Sequence, residues 1–288
     1  MTDLLNRSLA PLTEGEWAHL DEIVVATARR QLVGRRFINV VGPLGAGVQE
    51  VPTYVYIGIE PGIVDVIGGD DPTPIRAASR LHPVIPLIYK DFIVNWRDIE
   101  TGRRFGVPLN LSAAAAAAAF VAQREDDLIL NGHAGLGYSG LTNVSGRETL
   151  SMRDWAQMGN AFADAVAAMQ LLVSRGFYGP FAMVVSPTNF AHMARVYENT
   201  GVLEIEQVRK IMTAGIFQTP AMSDAAVVVV STGPQNFDLV IAQDLITAYL
   251  ESQNLNHPFR VLETLVLRVH RPNSICTLEG AAPKTRRA

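Results

Sequence analysis

The feature that most constrains this chain is a segment with too little sheet around it to be stable alone. From Val48 to Ile67 the sequence is rich in Val, Ile and Tyr and broken by Pro52, Gly58, Pro61 and Gly62, the signature of extended strands with bends. Gly68-Gly69-Asp70-Asp71-Pro72 supplies a tip or corner. Val84 to Trp96 is extended again, and Pro83 and Pro86 near its start point to a sheet edge, because proline donates no ladder hydrogen bond. A long two-stranded arm is marginal by itself. Its natural destination is another subunit.

Ahead of the arm, Thr13 and Glu16 form a capping box, with Pro11 and Leu12 fixing the entry. Trp17, Leu20, Val24, Ala28 and Leu32 then recur at spacings of three and four, placing one apolar stripe on a helix expected to stop at Gly34. A short strand should follow and end in the corner Gly42-Pro43-Leu44-Gly45. On local grounds this is an ordinary packing helix. Asn110-Leu111-Ser112 opens a second helix carrying seven alanines, Ala113 to Ala119, then Phe120, Val121, Leu128 and Ile129. Alanine combines the highest helix propensity with minimal bulk, so this reads as a central spine that neighbours can approach closely.

Downstream, the spacing predicts a helix from Met152 to Arg175, capped by Ser151 with Asp154 and ended by Gly176. A short strand, Phe181 to Val185, leads into a helix opened by Ser186-Pro187. Tyr197 to Val202 is a turn, and a helix spans Ile205 to Ala214. Later strands are expected at Val227 to Val230, Leu239 to Ile241 and Val261 to Val269. The closing Ala281 to Ala288 segment is basic and coreless, and is expected to be disordered.

Of the 288 residues 48% are hydrophobic and 18% charged, enough apolar material for a sizeable core and less charge than usual to coat an isolated monomer. A formal net charge of -4 offers no broad basic footprint for phosphates, which argues against nucleic acid as a partner. The single cysteine, Cys276, excludes an intrachain disulfide framework and any multi-cysteine zinc site. No signal peptide or bilayer-spanning apolar run is evident, so a cytoplasmic location is expected.

Catalytic patterns are sparse. The six histidines (His19, His82, His133, His192, His257, His270) never fall at the spacing that puts two ligands on one helix face. Glu125-Asp126-Asp127 should fan out around the spine helix, as solvated or interface charge. Gly135-Leu136-Gly137-Tyr138-Ser139-Gly140 matches the dinucleotide fingerprint literally, but comes after a helix where the fingerprint needs a strand. Cys276 lies in an apolar terminal strand without a basic neighbour closer than Arg271, so its thiol should stay protonated. Tyr89, Phe92 and Trp96 could stack on a flat cofactor, yet in extended chain they share no single face, which favours packing. No enzyme, metal or cofactor is expected.

Taken together, Leu9-Ala10-Pro11-Leu12-Thr13, Trp17, Gly34-Arg35-Arg36, Gly42-Pro43-Leu44-Gly45, Gln243-Asp244-Leu245 and Phe259-Arg260-Val261-Leu262-Glu263-Thr264 resemble the encapsulins, bacterial shell proteins that build icosahedral nanocompartments. Tyr89-Lys90-Asp91-Phe92, Trp96-Arg97-Asp98-Ile99-Glu100 and Asn256-His257-Pro258-Phe259-Arg260 look most like the myxobacterial iron-storage type. The resemblance implies an α+β fold of the tailed-phage major capsid, Hong-Kong-97-like, kind. It divides the chain into an N-terminal luminal helix and the start of the P-domain (1–47), an E-loop arm (48–81), a P-domain with the spine helix (82–134), an A-domain (135–222), a return to the P-domain (223–280) and a tail (281–288).

By position, the resemblance assigns a groove for a short C-terminal cargo peptide to Ala28, Arg29, Leu32, Arg35, Asn39, Val40 and Thr247. The family often has aspartate where this chain has Asn39, a change that removes a charge partner for Arg35 or for a cargo cation. Tyr197, Glu198, Asn199, Thr200 and Gly201 are assigned to a pore loop. The implied function is a self-assembling shell around ferritin-like, iron-oxidising cargo. A shell for a dye-decolourising peroxidase and a prophage capsid subunit are the alternatives.

Overall fold

The computed structural model describes residues 4–57, 62–197 and 201–280. At the N-terminus the capping box forms: the Glu16 amide donates to Thr13 Oγ1 at 3.3 Å and the Thr13 amide to Glu16 Oε2 at 2.7 Å. Helix α1 (Glu14–Gln31) then buries Trp17, Leu20, Val24 and Ala28. It stops short of Gly34, and Gly34–Arg36 forms a separate 3-10 turn. The reason is a competing acceptor, since the Val33 and Gly34 amides donate to the Asp126 carboxylate. Gly34 is needed for close approach: a Cβ there would lie 2.6 Å from Ile129 Cδ1.

After β1 (Asn39–Val41), strands β2 (Thr53–Ile57) and β3 (Arg76–Leu81) pair only with each other, as expected of the arm. Every residue of β3 is exposed, and between the strands Val64, Val66 and Ile67 are 94–99% exposed. Strand β4 (Leu87–Val94) returns to the body as an edge strand. Its alternation buries Ile88, Phe92 and Val94 and turns Leu87, Tyr89 and Ile93 outward. Phe92 thus stacks on Phe259 while Tyr89 lies under the Arg260 guanidinium, and Trp96 opens helix α2 (Trp96–Phe105). The sequence pattern does not announce that helix. Asn95 caps it through the Arg97 amide, and Gly106, at a φ of 67°, ends it.

Spine helix α3 (Ser112–Asn131) packs Ala114, Ala117, Ala118, Val121 and Ala122 into the core, against α1 and the sheet. The glycine-rich loop after it folds onto itself. The Gly140 amide donates to Asn143 Oδ1, and a Cβ at Gly140 would come 2.3 Å from the Leu130 carbonyl oxygen. These glycines serve a chain crossing, not a phosphate cradle.

Strand β5 (Glu148–Ser151) takes up Ser151, and Asp154 receives the Ala156 amide in a turn, so helix α4 (Asn160–Ser174) starts eight residues later than Met152. Then come β6 (Phe181–Val185), α5 (Pro187–Met193), α6 (Glu204–Ile211), β7 (Gly215–Gln218), β8 (Ala226–Ser231), β9 (Phe237–Tyr249), β10 (His257–Val269) and β11 (Ile275–Glu279). Strand β9 is far longer than the predicted Leu239 to Ile241. Two sheets result, with orders β1-β9-β10-β4 and β5-β11-β8-β6-β7. One apolar core joins α1, α3 and both sheets, and a second lies between the five-stranded sheet and α4, α5 and α6. Cys276 is buried there, its thiol pushed up to about 12 by burial and by Glu148, so it stays protonated as expected. Among the described residues no helix is long and apolar enough to cross a membrane. The tail, 281–288, lies outside them.

An arm outside both cores should matter to association and not to folding. Replacing Val64, Val66 and Ile67 together with serine is expected to move the subunit's unfolding free energy by less than about 1 kcal/mol. The same variant should abolish higher assembly, read by native mass spectrometry.

Candidate functional site

The predicted site residues fall around the junction of α1, α3 and β9. Ala28 and Leu32 pack with Ala122 of α3 and Leu245 of β9. Arg29, on the same helix turn, is exposed, and so are Asn39 and Val40 on edge strand β1. Thr247 is fully buried, and its hydroxyl has no hydrogen-bond partner among the described residues. Its carbonyl accepts from Arg7, which also pairs with Asp21 at 2.7 Å and covers the Trp17 ring. The N-terminal segment is thereby sealed onto α1 and β9.

These residues do not line one pocket. Asn39 is in register with Asp238, whereas Thr247 lies nine residues further along β9, on the order of 30 Å in extended chain. Arg29, Asn39 and Val40 are exposed, whereas Ala28, Leu32 and Thr247 are buried. Of the pore-loop residues, Tyr197 donates its amide to the Val202 carbonyl at 2.8 Å, and Gly201 is exposed with a φ of 70°. Glu198, Asn199 and Thr200 lie outside the described residues.

Arg35 points inward. Its Nε and Nη2 donate to Glu125, Nη2 also reaches Glu263 at 2.7 Å, and Nη1 donates to Asp244 at 2.7 Å. Asn39 is therefore not needed as its charge partner. The expectation that the acids on α3 are solvated or interface charge fails for two of three: Glu125 is 0% and Asp126 2% exposed. Asp126 instead accepts the Val33 and Gly34 amides at 2.9–3.0 Å, ending α1, while Asp127 stays near the surface beside Arg124.

Burial pushes the Asp126 carboxyl up to about 6, against the pull of the two amides. Asp244 is held below the usual range: burial opposes this, but the Arg35 hydrogen bond and the Leu245 amide outweigh it. Such a set of groups is suited to locking a turn. Among the described residues no cluster of histidine, cysteine or carboxylate could hold a metal.

Arg35→Ala should destabilise the subunit by about 3–5 kcal/mol by stranding buried carboxylates, measured by denaturant titration. For Asp126, the folded protein binds a proton more tightly than the unfolded chain between pH 3.8 and about 6. Its contribution is present in full below that window and lost as pH rises through it. The stability of the protein relative to its Asp126→Asn variant should therefore fall by about 2 kcal/mol from pH 4 to pH 6.5.

Comparison with known proteins identifies the family to which this architecture belongs. The family described as "Encapsulating protein for peroxidase" matches residues 1–266. The "Type 1 encapsulin shell protein EncA" of Myxococcus xanthus is 47% identical over the full length of both chains. A "Diheme-cytochrome-encapsulin shell fusion protein" of Kuenenia stuttgartiensis is 40% identical over 93% of this chain and 74% of its own. A "Ferritin-like-encapsulin shell fusion protein" of Pyrococcus furiosus is 24% identical over 75% of this chain and 58% of its own. The crystal structure of a virus-like particle from Pyrococcus furiosus superposes with a TM-score of 0.75 at 20% identity, covering 93% of this chain and all of that one. The capsid of Myoviridae phage XM1 superposes at 0.58 and 14%, covering 84% and 90%, so the fold is that of the Hong-Kong-97-like capsid proteins. The protein is structural and capsid-like, not an enzyme. With this extent of match in sequence and in fold, the chain belongs to the type 1 encapsulin shell proteins.

Proposed function

We propose that the protein assembles into a closed icosahedral shell in the cytoplasm and encloses ferritin-like, iron-oxidising cargo for iron storage and protection from oxidative stress. The observation that carries the shell reading is the arm, with Val64, Val66 and Ile67 almost wholly exposed between the two strands of an isolated ribbon. Apolar residues grouped and exposed in this way mark an association surface, and a second copy of this chain is always at hand. In this reading residues 48–81 are the E-loop lying over a neighbour, 1–47 and 82–134 with 223–280 make the P-domain wall, and 135–222 surround the pores. Tyr197 and Gly201 would stand at those pores.

The fusions in relatives support redox cargo, since one joins an encapsulin shell to a diheme cytochrome and another to a ferritin-like protein. Here the cargo would be a separate protein, held by a short C-terminal peptide against Arg29, Asn39 and Val40, with Ala28, Leu32, Arg35 and Thr247 as the underlying frame. A short peptide loses conformational freedom on docking, so each site binds weakly, and many copies on one wall compensate. The family description favours peroxidase cargo as the second reading.

Purifying the particles from their native cell and identifying the enclosed proteins tests the proposal. A ferritin-like protein inside, lost when its last residues are deleted, is the expected result; a peroxidase inside would replace the iron reading. Monomers or dimers only, at physiological salt, would overturn the shell.

A further inference from the structure

Beneath the exposed surface of the candidate groove lies a buried group of titratable side chains gathered around Arg35. Glu125 of α3 and Glu263 of β10 are both fully buried, and both accept from the same Arg35 nitrogen at 2.7 Å. Glu263 Oε1 has no hydrogen-bond partner among the described residues. The two carboxyl groups thus converge on one donor that cannot balance both charges, and Glu263 Oε1 is placed to carry a proton.

The charges around the pair are unbalanced. Arg35 is shared by Glu125, Glu263 and Asp244. Arg29 of α1 acts on Asp244, Arg36 acts on Asp126, and Asp126 adds a further carboxyl beside Glu125. With every acid ionised, one guanidinium would face three carboxylates, two of them without water. Like charges packed this closely in a dry site do not both ionise.

We propose that Glu125 and Glu263 share one proton at neutral pH, and that this proton is the catch of an alkaline-sensitive latch fastening the turn after α1 to the spine helix and the four-stranded sheet. The direction of titration agrees: burial, then the charge of Glu125, holds the Glu263 carboxyl well above the usual carboxylate range. Linkage sets the sign. Stability from the shared proton is present at and below neutrality and is lost as pH rises past the pair's own titration. The unlatched segment is the turn Gly34–Arg36 and strand β1, which carries Asn39 and Val40. The latch belongs to the subunit and does not rest on the shell or cargo reading.

Glu263→Gln supplies a permanent hydrogen in place of the shared one. In this variant the neutral subunit should fold as before, and the alkaline midpoint of unfolding should rise by about one pH unit. Infrared spectra at neutral pH should show a protonated-carboxyl C=O stretch in the natural protein that Glu263→Gln lacks. Glu125→Gln should lose the same band, so either variant suffices if the other does not fold. Hydrogen exchange of residues 33–41 in the natural protein should accelerate at alkaline pH before the spine helix does. An unchanged infrared band in both variants, or an unchanged alkaline midpoint in Glu263→Gln, would overturn the latch.

Discussion

The junction of α1 with the four-stranded sheet depends on a spine helix that hands its carboxylates to the chain crossing over it. Asp126 takes the two amides that would otherwise prolong α1, and Glu125 takes the guanidinium of the next turn. Two consecutive residues of one helix thus end another helix and anchor the turn beyond its end. The geometry is demanding, because a Cβ at Gly34 would strike Ile129 and the acids have no water to fall back on. A buried ionic junction of this kind adds little net stability over an apolar one, but it tolerates few alternatives. It fixes the direction in which β1 enters the sheet, and with it the placement of Asn39 and Val40.

The outer features answer a different constraint. The alanine face of α3 lets α1 and the sheet approach closely, giving a continuous core. At its base the arm packs Val51 against Val240, Ala242 and Val266, but beyond that it contributes to neither large core and keeps Val64, Val66 and Ile67 in solvent. A monomer built this way is incomplete in surface, not in fold. That division suits a shell, in which each copy must be folded before it can be covered.

Much of this is legible in the sequence. The capping box, the stripe from Trp17 to Ala28, the alanine spine and the unpartnered arm rest on local chemistry and periodicity, and all four are present. The acids on α3 are misjudged when they are compared only with one another. Set against Ala118, Ala122 and Ile129, Glu125 and Asp126 fall at helical spacing on the buried face, and that register is the available signal. Their partners cannot be found the same way: Asp244 and Glu263 are more than a hundred residues distant, brought in by the pairing of β9 and β10. Helix α2 escapes a reading by pattern since its cap, Asn95, closes a run that reads as strand. Helix α4 starts later than its sequence suggests because Ser151 and Asp154 imitate a cap while serving a strand end and a turn.

The central claim is that the inner junction is complete in the single subunit and the arm is completed only by another copy. Hydrogen exchange of folded, dissociated subunits compared with assembled particles tests both halves at once. The account predicts that residues 33–41 and 112–131 are protected in both states, while residues 62–81 exchange freely in the subunit and slow strongly on assembly. Arm exchange that is unchanged by assembly, or a 33–41 segment that is unprotected in the folded subunit, would contradict it.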